Sequence, residues 1–240
     1  MSVAKLPRVR REILLAILEL AGKGPTTRRA LAKSLHIPTE LVDNVLSWAG
    51  SEGLISLKGE DVEASPDQRV RMAVHAIRLG ADPERVCALL SWSEFEEVSS
   101  LAFRLNGFRV RRGFVFRWLG RRWQMDILGC KRPFIICVDC KHWSHRWSGS
   151  AVERAVRLQV ERTRALASAL PQLAGQLGLE GWETATLLPV VLSLLPARHK
   201  LLMNVPIVPI LQLQSFIHEF PAYLESLTSF RVRLRAEPPR

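Results

Sequence analysis

The sequence predicts a mixed α/β fold preceded by a smaller helical domain, and three observations support this fold class. The chain has 240 residues, 48% of them hydrophobic, which is enough for one sizeable core and a small second one. Apolar residues recur at helical spacing through the first third of the chain. From residue 91 the pattern becomes helix, three strands, long helix and further strands, an order typical of a mixed sheet with helices on both sides.

The first 62 residues predict three helices followed by a small hairpin. The apolar stripe of the first helix ends near Gly22, and Thr26 or Thr27 is a suitable N-cap for the second helix. Thr39 is the predicted N-cap of the third helix. The later segments are helices over 28–35 and 40–48 and a hairpin that turns at 58–61. We therefore assign residues 1–62 to a domain with the outline of a winged helix-turn-helix.

The segment in the position of a recognition helix, residues 38–53, is acidic. It contains Glu40, Asp43 and Glu52 and no Lys or Arg. A helix that enters the major groove of DNA is expected to meet the phosphates with positive charge. DNA binding by this domain and contact with a protein partner or a second copy therefore both stay open.

A helical connector is predicted between residues 63 and 90. Ser65 precedes a proline and opens one helix, which runs to Leu79. Asp82 caps the next helix, which also has proline in its first turn.

Residues 91–240 predict the α/β domain. Ser91 or Ser93 begins a helix that ends at Leu105, before Asn106-Gly107. The segments that follow are strands over 108–118, 122–128 and 134–140 with turns at 119–121 and 129–133, a helix over 152–170, strands over 187–194 and 207–213, and a helix over 215–227. The resulting order is α-β-β-β-α-β-(β)-α.

Positive charge is concentrated in the middle of the chain. The net charge is +11, but residues 1–62 contribute only +2, whereas residues 108–147 hold ten Lys/Arg and two Asp. Such a concentrated positive field suits a polyanion, and we expect DNA as the partner. A solvated basic face is the alternative.

Neither a membrane span nor a secretory signal is predicted. The longest apolar run, around 187–195, is too short to cross a bilayer and is closed by Pro196. The first residues lack the apolar core of a signal peptide, so we expect a soluble cytoplasmic protein without disulfides. Cys137 and Cys140 form a CxxC on a predicted strand, where small buried side chains are favoured over a zinc site.

Two carboxylates and an amine lie on the neighbouring strands of one predicted hairpin. A hairpin that folds around 130–133 sets Asp126 almost opposite Asp139, with Cβ atoms about 5 Å apart. Carboxylates this close repel each other, and a hard divalent cation such as Mg²⁺ relieves the repulsion. Lys141 is two residues beyond Asp139 and hence on the same face of the strand. A buried ion pair without a metal is the alternative.

These residues belong to a longer segment of the chain that resembles known nucleases. The run from Glu94 to Phe108 resembles a helix of Mrr-type restriction endonucleases. The runs MDILG (125–129) and ICVDCKHW (136–143) resemble the D…(D/E)xK hairpin of the PD-(D/E)xK superfamily, to which archaeal Holliday-junction resolvases also belong. The resemblance covers roughly residues 91–220. Met125 departs from the motif's proline, and Asp139 stands where Glu or Gln is often found.

The resemblance implies a restriction-endonuclease-like α-β-β-β-α-β core and a metal-dependent DNA endonuclease. Asp126, Asp139 and the backbone carbonyl of Cys140 would ligate Mg²⁺, or alternatively Mn²⁺. Glu96 would join through a water or a second ion, and Lys141 would position the attacking water. Glu96 is preferred because it directly follows a phenylalanine, as in the motif, and the neighbouring Glu97 is the alternative.

Further side chains are candidates for DNA contact, with ordinary packing or solvation as the alternative for each. They are Arg109, Arg111, Arg117, Arg121, His142, Trp143, Gln159 and Arg162. Two other functions stay open beside a restriction-type enzyme. One is a structure-specific resolvase or repair nuclease that acts as a homodimer. The other is a non-catalytic regulator that binds DNA or protein and carries an inert nuclease-like domain.

Overall fold

The protein has a mixed α/β architecture in two units. The computed structural model describes residues 6–22, 24, 26–141, 149–194 and 199–234. The chain divides by internal packing into residues 1–98 and 99–240. The division falls within a helix, and the predicted connector lies in the N-terminal unit.

The N-terminal unit combines helices with a small antiparallel sheet. Its helices are α1 (Leu6–Ala21), α2 (Arg28–Leu35), α3 (Thr39–Ser51), α4 (Pro66–Arg78) and α5 (Pro83–Ala88). Its strands are β1 (Thr26–Thr27), β2 (Ser56–Lys58) and β3 (Asp61–Glu63), in the order β1-β3-β2. The predicted caps are present at Thr27, Ser65 and Asp82, whose side chains accept backbone N–H groups of the following turn.

The prediction that Thr39 caps α3 is wrong. Thr39 is the first residue inside the helix, and Pro38 occupies the cap position without a side-chain hydrogen bond. The carbonyl of Pro38 accepts the backbone N–H groups of Leu41 and Val42, so the helix begins one residue earlier than expected.

A buried ion pair ties the helices of the N-terminal unit together. The Arg69 Nε donates to Glu94 Oε1 at 2.9 Å, and its other nitrogens donate to the carbonyls of Leu18 and Leu89 at 2.8 and 2.7 Å. The second oxygen of Glu94 accepts the backbone N–H of Ser91 at 2.7 Å. The contact thus joins the ends of α1 and α5 to α4 and to the first turn of the next helix, α6 (Trp92–Leu105).

The C-terminal unit is built on a seven-stranded mixed sheet of described residues. After α6 come β4 (Arg109–Trp118), β5 (Arg121–Lys131), β6 (Phe134–Lys141), α7 (Gly149–Leu177), β7 (Thr184–Ser193), β8 (Leu201–Leu202), β9 (Val205–Pro209), α8 (Leu213–Tyr223) and β10 (Phe230–Arg233). The order is β4-β5-β6-β7-β9-β8, with β10 on β7. The β6–β7 and β7–β9 pairs are parallel and the others antiparallel. One face packs against α7, whose Leu166 and Leu170 lie against Ile135 and Cys137.

Two predictions for this unit are wrong. The turn predicted over 129–133 is shorter, because β5 continues to Lys131. A Cβ at Gly129 would lie 3.1 Å from the Phe103 ring, so this glycine serves close packing rather than a turn. The strand predicted over 207–213 ends at Pro209, and a 3-10 turn (Ile210–Gln212) then leads into α8. The short β8 and the terminal β10 were not predicted.

Within the described residues, no helix is both long and apolar enough to cross a membrane.

Candidate active site

The β5–β6 hairpin brings Asp126 to the strand that carries Asp139. The described pairing of β5 with β6 ends at Ile127 and Val138, one residue short of Asp126 and Asp139, so their predicted position almost opposite each other stays a prediction. The Oδ2 of Asp126 accepts the backbone N–H of Cys140 at 2.8 Å. Asp126 therefore lies against the backbone between Asp139 and Lys141.

Asp126 lies at an irregular point of the sheet. The pairing of β4 with β5 is interrupted at Gly113 and Asp126, and Gly113 has a left-handed φ of 57°. Before this point, odd-numbered β5 residues such as Met125 face the core beneath α7. After it, even-numbered residues such as Leu128 do so. The β4–β5 register is the same on both sides of this point, so no residue is inserted into either strand. The Asp126 carboxylate is turned toward the backbone of β6 at Cys140.

Asp139 is buried between two cations. Its side chain is 3% exposed, and the Lys141 Nζ lies 2.8 Å from Oδ2 while the Arg162 Nη1 lies 2.6 Å from Oδ1. Each cationic side chain is 19% exposed. A carboxylate buried this deeply is stabilised only with partners. The two cations are therefore more exposed than the carboxylate they hold.

Gln159 lies on the same face of α7, one turn before Arg162. Its side chain is buried, and its Nε2 donates to the carbonyl of Cys137 at 2.7 Å. Its Oε1 is buried and has no hydrogen-bond donor among the described residues. A buried acceptor without a donor costs about 1–3 kcal/mol, so a water or a ligand that donates to this oxygen would stabilise the site.

Besides Arg162, three further arginines that were predicted to contact DNA make contacts within the C-terminal unit. Arg109 and Arg111 donate to the carbonyls of Gly178 and Gln176, at 2.7 and 3.2 Å, and so satisfy the C-terminal end of α7. The Arg121 guanidinium lies 3.8 Å from the centre of the Trp123 ring. Arg117 is exposed on β4. The predicted contacts His142 and Trp143 lie outside the described residues.

Glu96 and Glu97 lie on α6, in the part of that helix that belongs to the N-terminal unit. The Trp92 Nε1 donates to Glu96 Oε1 at 2.5 Å, and both glutamates are partly buried. Glu94, by contrast, is buried and engaged by Arg69. The roles of Glu96 and Glu97 remain predictions from the motif.

The two aspartates suit a magnesium ion by donor type. Mg²⁺ is usually bound through one or two carboxylates and keeps several waters. Asp126 and Asp139 supply carboxylate oxygens from adjoining strands, and the Cys140 backbone lies beside them. Across the described part of the chain, no cluster of three or more His, Cys, Asp or Glu side chains could hold a metal. Asp126 and Asp139 are therefore the two carboxylates that could contribute to a magnesium site here, and waters would supply the other ligands of such an ion.

The four cysteines behave as buried apolar side chains. All are free thiols, and burial raises the pKa of Cys130 to about 11 and that of Cys87 to about 12. Burial raises the pKa of the fully buried Cys137 thiol still further. Cys137 and Cys140, the CxxC of β6, are both fully buried, as the sequence predicts for small side chains on a central strand.

Comparison with known proteins does not identify the chain. No protein-family model matches it, and no curated protein matches it either. Among solved structures, the crystal structure of protein VC1899 from Vibrio cholerae aligns with 94% of this chain at 11% identity and a TM-score of 0.35. The chain spans 58% of that protein's length. A similarity at this level establishes neither a shared fold nor a shared function.

Proposed function

We propose that this protein is a metal-dependent nuclease that hydrolyses phosphodiester bonds in DNA. The observation that carries the proposal is Asp139, buried at the end of a central strand and held between Lys141 and Arg162, with Asp126 against the same stretch of backbone. Acids are depleted in strand interiors. A cluster of two acids and two cations at one strand end is the arrangement that metal-assisted phosphoryl chemistry requires.

The element order supports a restriction-endonuclease-like core for residues 91–240. α6 is followed by the antiparallel strands β4, β5 and β6, and α7 then crosses to β7, which is parallel to β6. This is the α-β-β-β-α-β order that the sequence resemblance implies. The proposed active site lies at the end of β6 from which this crossover leaves.

Each residue of the cluster has a distinct role in the proposed reaction. Asp126, Asp139 and the Cys140 carbonyl would hold Mg²⁺, which when bound polarises a phosphoryl oxygen and lowers the pKa of bound water. Lys141 orients the attacking water and stabilises charge on the phosphate. Arg162 neutralises a non-bridging phosphate oxygen, since a guanidinium binds phosphate as readily as carboxylate.

We infer that residues 1–62 form a winged-helix-like domain. The support is three helices followed by the β2–β3 hairpin, with β1 as the third strand. Its third helix, α3, carries acidic and no basic side chains. Contact with a protein partner or with a second copy of the chain therefore suits this domain better than reading of DNA.

The test is cleavage of supercoiled, linear, branched and single-stranded DNA with Mg²⁺, Mn²⁺ or EDTA. We expect metal-dependent cutting by the wild type and a loss of more than about 100-fold in Asp139→Asn, which removes the charge of a metal ligand. Glu225→Gln, an equal charge change at an exposed position, is the matched control and should cut normally.

Two results would contradict the proposal. One is cutting that persists in EDTA or in the folded Asp139→Asn variant. The other is DNA binding without cutting under every metal condition, which would favour the non-catalytic regulator. Circular dichroism of each variant separates loss of activity from loss of fold.

A further inference from the structure

Strands β4 and β5 extend beyond the sheet as a two-stranded ribbon. Pairing of β5 with β6 begins at Ile127, whereas pairing of β4 with β5 continues outward to Trp118 and Arg121. Residues 114–125 therefore pair only with each other among the described strands. One face of the ribbon packs on the core beneath α7 through Phe114, Phe116, Trp118, Trp123 and Met125.

The opposite face of the ribbon is exposed and basic. Arg117 pairs directly with Arg122 across the two strands, and both are exposed. Like charges directly opposite each other destabilise a strand pair. Residues 98–125 contain seven Arg and no Asp or Glu, so residues 114–125 of the ribbon supply no carboxylate to relieve the repulsion. An anion bound between the two guanidinium groups would do so.

The tip of the ribbon carries an exposed leucine in an unfavourable conformation. Leu119 and Gly120 form a two-residue turn in which both have left-handed φ, 48° and 75°. Such turns favour Asn at the first position. Leu119 is instead 88% exposed. Neither turn chemistry nor core packing accounts for a leucine at this position.

We propose that the β4–β5 ribbon binds duplex DNA, with Arg117 and Arg122 on the phosphates and Leu119 in a groove against the base pairs. Two-stranded β-ribbons enter the minor as well as the major groove of DNA, and the minor groove is where apolar side chains are inserted between base steps. Apolar side chains, leucine among them, are inserted between base steps by proteins that bend DNA. The inference rests on the proposed function for its choice of DNA and adds that the substrate is a duplex held by the ribbon. Arginines that only protect an edge strand from aggregation would leave DNA binding unchanged when replaced.

The arginines are tested by the salt dependence of binding. The full-length protein is titrated with a short duplex in EDTA at several salt concentrations, and Arg117→Gln/Arg122→Gln is compared with Arg132→Gln/Arg231→Gln. The control pair is exposed, lies outside the ribbon and has the same charge change. Loss of two phosphate contacts lowers the slope of log K against log salt by about 1.8, and we expect this only for the ribbon pair. Equal slopes for both pairs, or no duplex binding by the wild type, would overturn the inference.

The leucine is tested with a duplex that contains 2-aminopurine, whose fluorescence rises when a base is unstacked. We expect the wild type to raise the fluorescence and Leu119→Asn, which suits the turn and keeps every charge, to leave it low with an unchanged salt slope. Equal fluorescence for the two proteins would overturn insertion by Leu119, and tighter binding to the single strand than to the duplex would overturn the choice of a duplex.

The two proposals fail separately, because binding is measured in EDTA. If the ribbon variants lose duplex binding but the wild type never cuts DNA, only the proposed nuclease function is contradicted. If the ribbon variants still cut DNA with metal and keep the wild-type slope of log K against log salt, only the proposed DNA binding by the ribbon is contradicted.

Discussion

At the scale of single residues, the charges around Asp139 set the net charge of the cluster with and without a bound cation. Asp126 and Asp139 carry two negative charges, and Lys141 and Arg162 carry two positive charges, so the group is neutral without a bound ion. A neutral, hydrogen-bonded cluster leaves no buried charge without a partner. Addition of a divalent cation makes it positive, which favours the arrival of a phosphate. Metal and substrate are therefore expected to bind cooperatively.

Arg162 is expected to stabilise the fold as well as the reaction. Arg162→Met removes one charged hydrogen bond from a buried carboxylate and should lower the free energy of unfolding by about 1.5–3 kcal/mol. Urea unfolding measures the change. Arg154→Met, at an exposed position of the same helix, should stay within about 0.5 kcal/mol of the wild type. Equal stabilities for the two variants would mean that Lys141 alone is enough to stabilise the buried Asp139 carboxylate.

At the scale of the elements, side chains distant in sequence satisfy the ends of helices. Arg111 of β4 donates to the carbonyl of Gln176 in the last turn of α7, and Arg109 donates to the carbonyl of Gly178 just after it, so both fasten the end of the helix to the edge strand of the sheet. Gly178, which follows α7, has a left-handed φ of 65° and no room for a Cβ beside Arg109. In the N-terminal unit, Arg69 of α4 donates to the carbonyls of Leu18 and Leu89, near the ends of α1 and α5.

The Arg69–Glu94 pair gives a prediction for the N-terminal unit. Glu94→Ala leaves a buried guanidinium without its carboxylate and should cost about 3–5 kcal/mol of stability. The double variant Arg69→Met/Glu94→Leu, which buries no charge, should recover part of this loss. Thermal unfolding of both proteins measures the effect. A double variant less stable than Glu94→Ala would show that the bonds from Arg69 to the helix ends matter more than the unpaired charge.

At the scale of the whole molecule, the positive charge belongs to the C-terminal unit. Residues 1–98 contain 13 Lys/Arg and 14 Asp/Glu, a net of −1, whereas residues 99–240 contain 21 and 9, a net of +12. Nonspecific affinity for DNA follows the number of phosphates that cations neutralise. The C-terminal unit is therefore expected to supply the nonspecific affinity for DNA.

This charge distribution predicts which substitutions leave DNA binding unchanged. Arg29→Gln/Lys33→Gln removes two exposed cations from α2 and should not alter the slope of log K against log salt for duplex DNA. A slope reduced by about 1.8 would assign two phosphate contacts to the N-terminal unit instead. Binding curves at several salt concentrations distinguish the two results.

The sequence by itself determined the local features of this protein. The caps at Thr27, Ser65 and Asp82, the buried strand β6 and the β5–β6 hairpin all depend on residues close together in the chain. Propensity, capping and hairpin geometry act over such short separations, which is why these features are predictable.

Only the tertiary structure decided which distant groups meet. Arg162 comes to Asp139 from 23 residues away and Arg109 to Gly178 from 69, and both arginines had been predicted to contact DNA. The exposed pair of Arg117 and Arg122 emerges only once the ribbon's packed face is known. The sequence indicates that a side chain is charged, but its partner depends on the surfaces that burial of the core brings together.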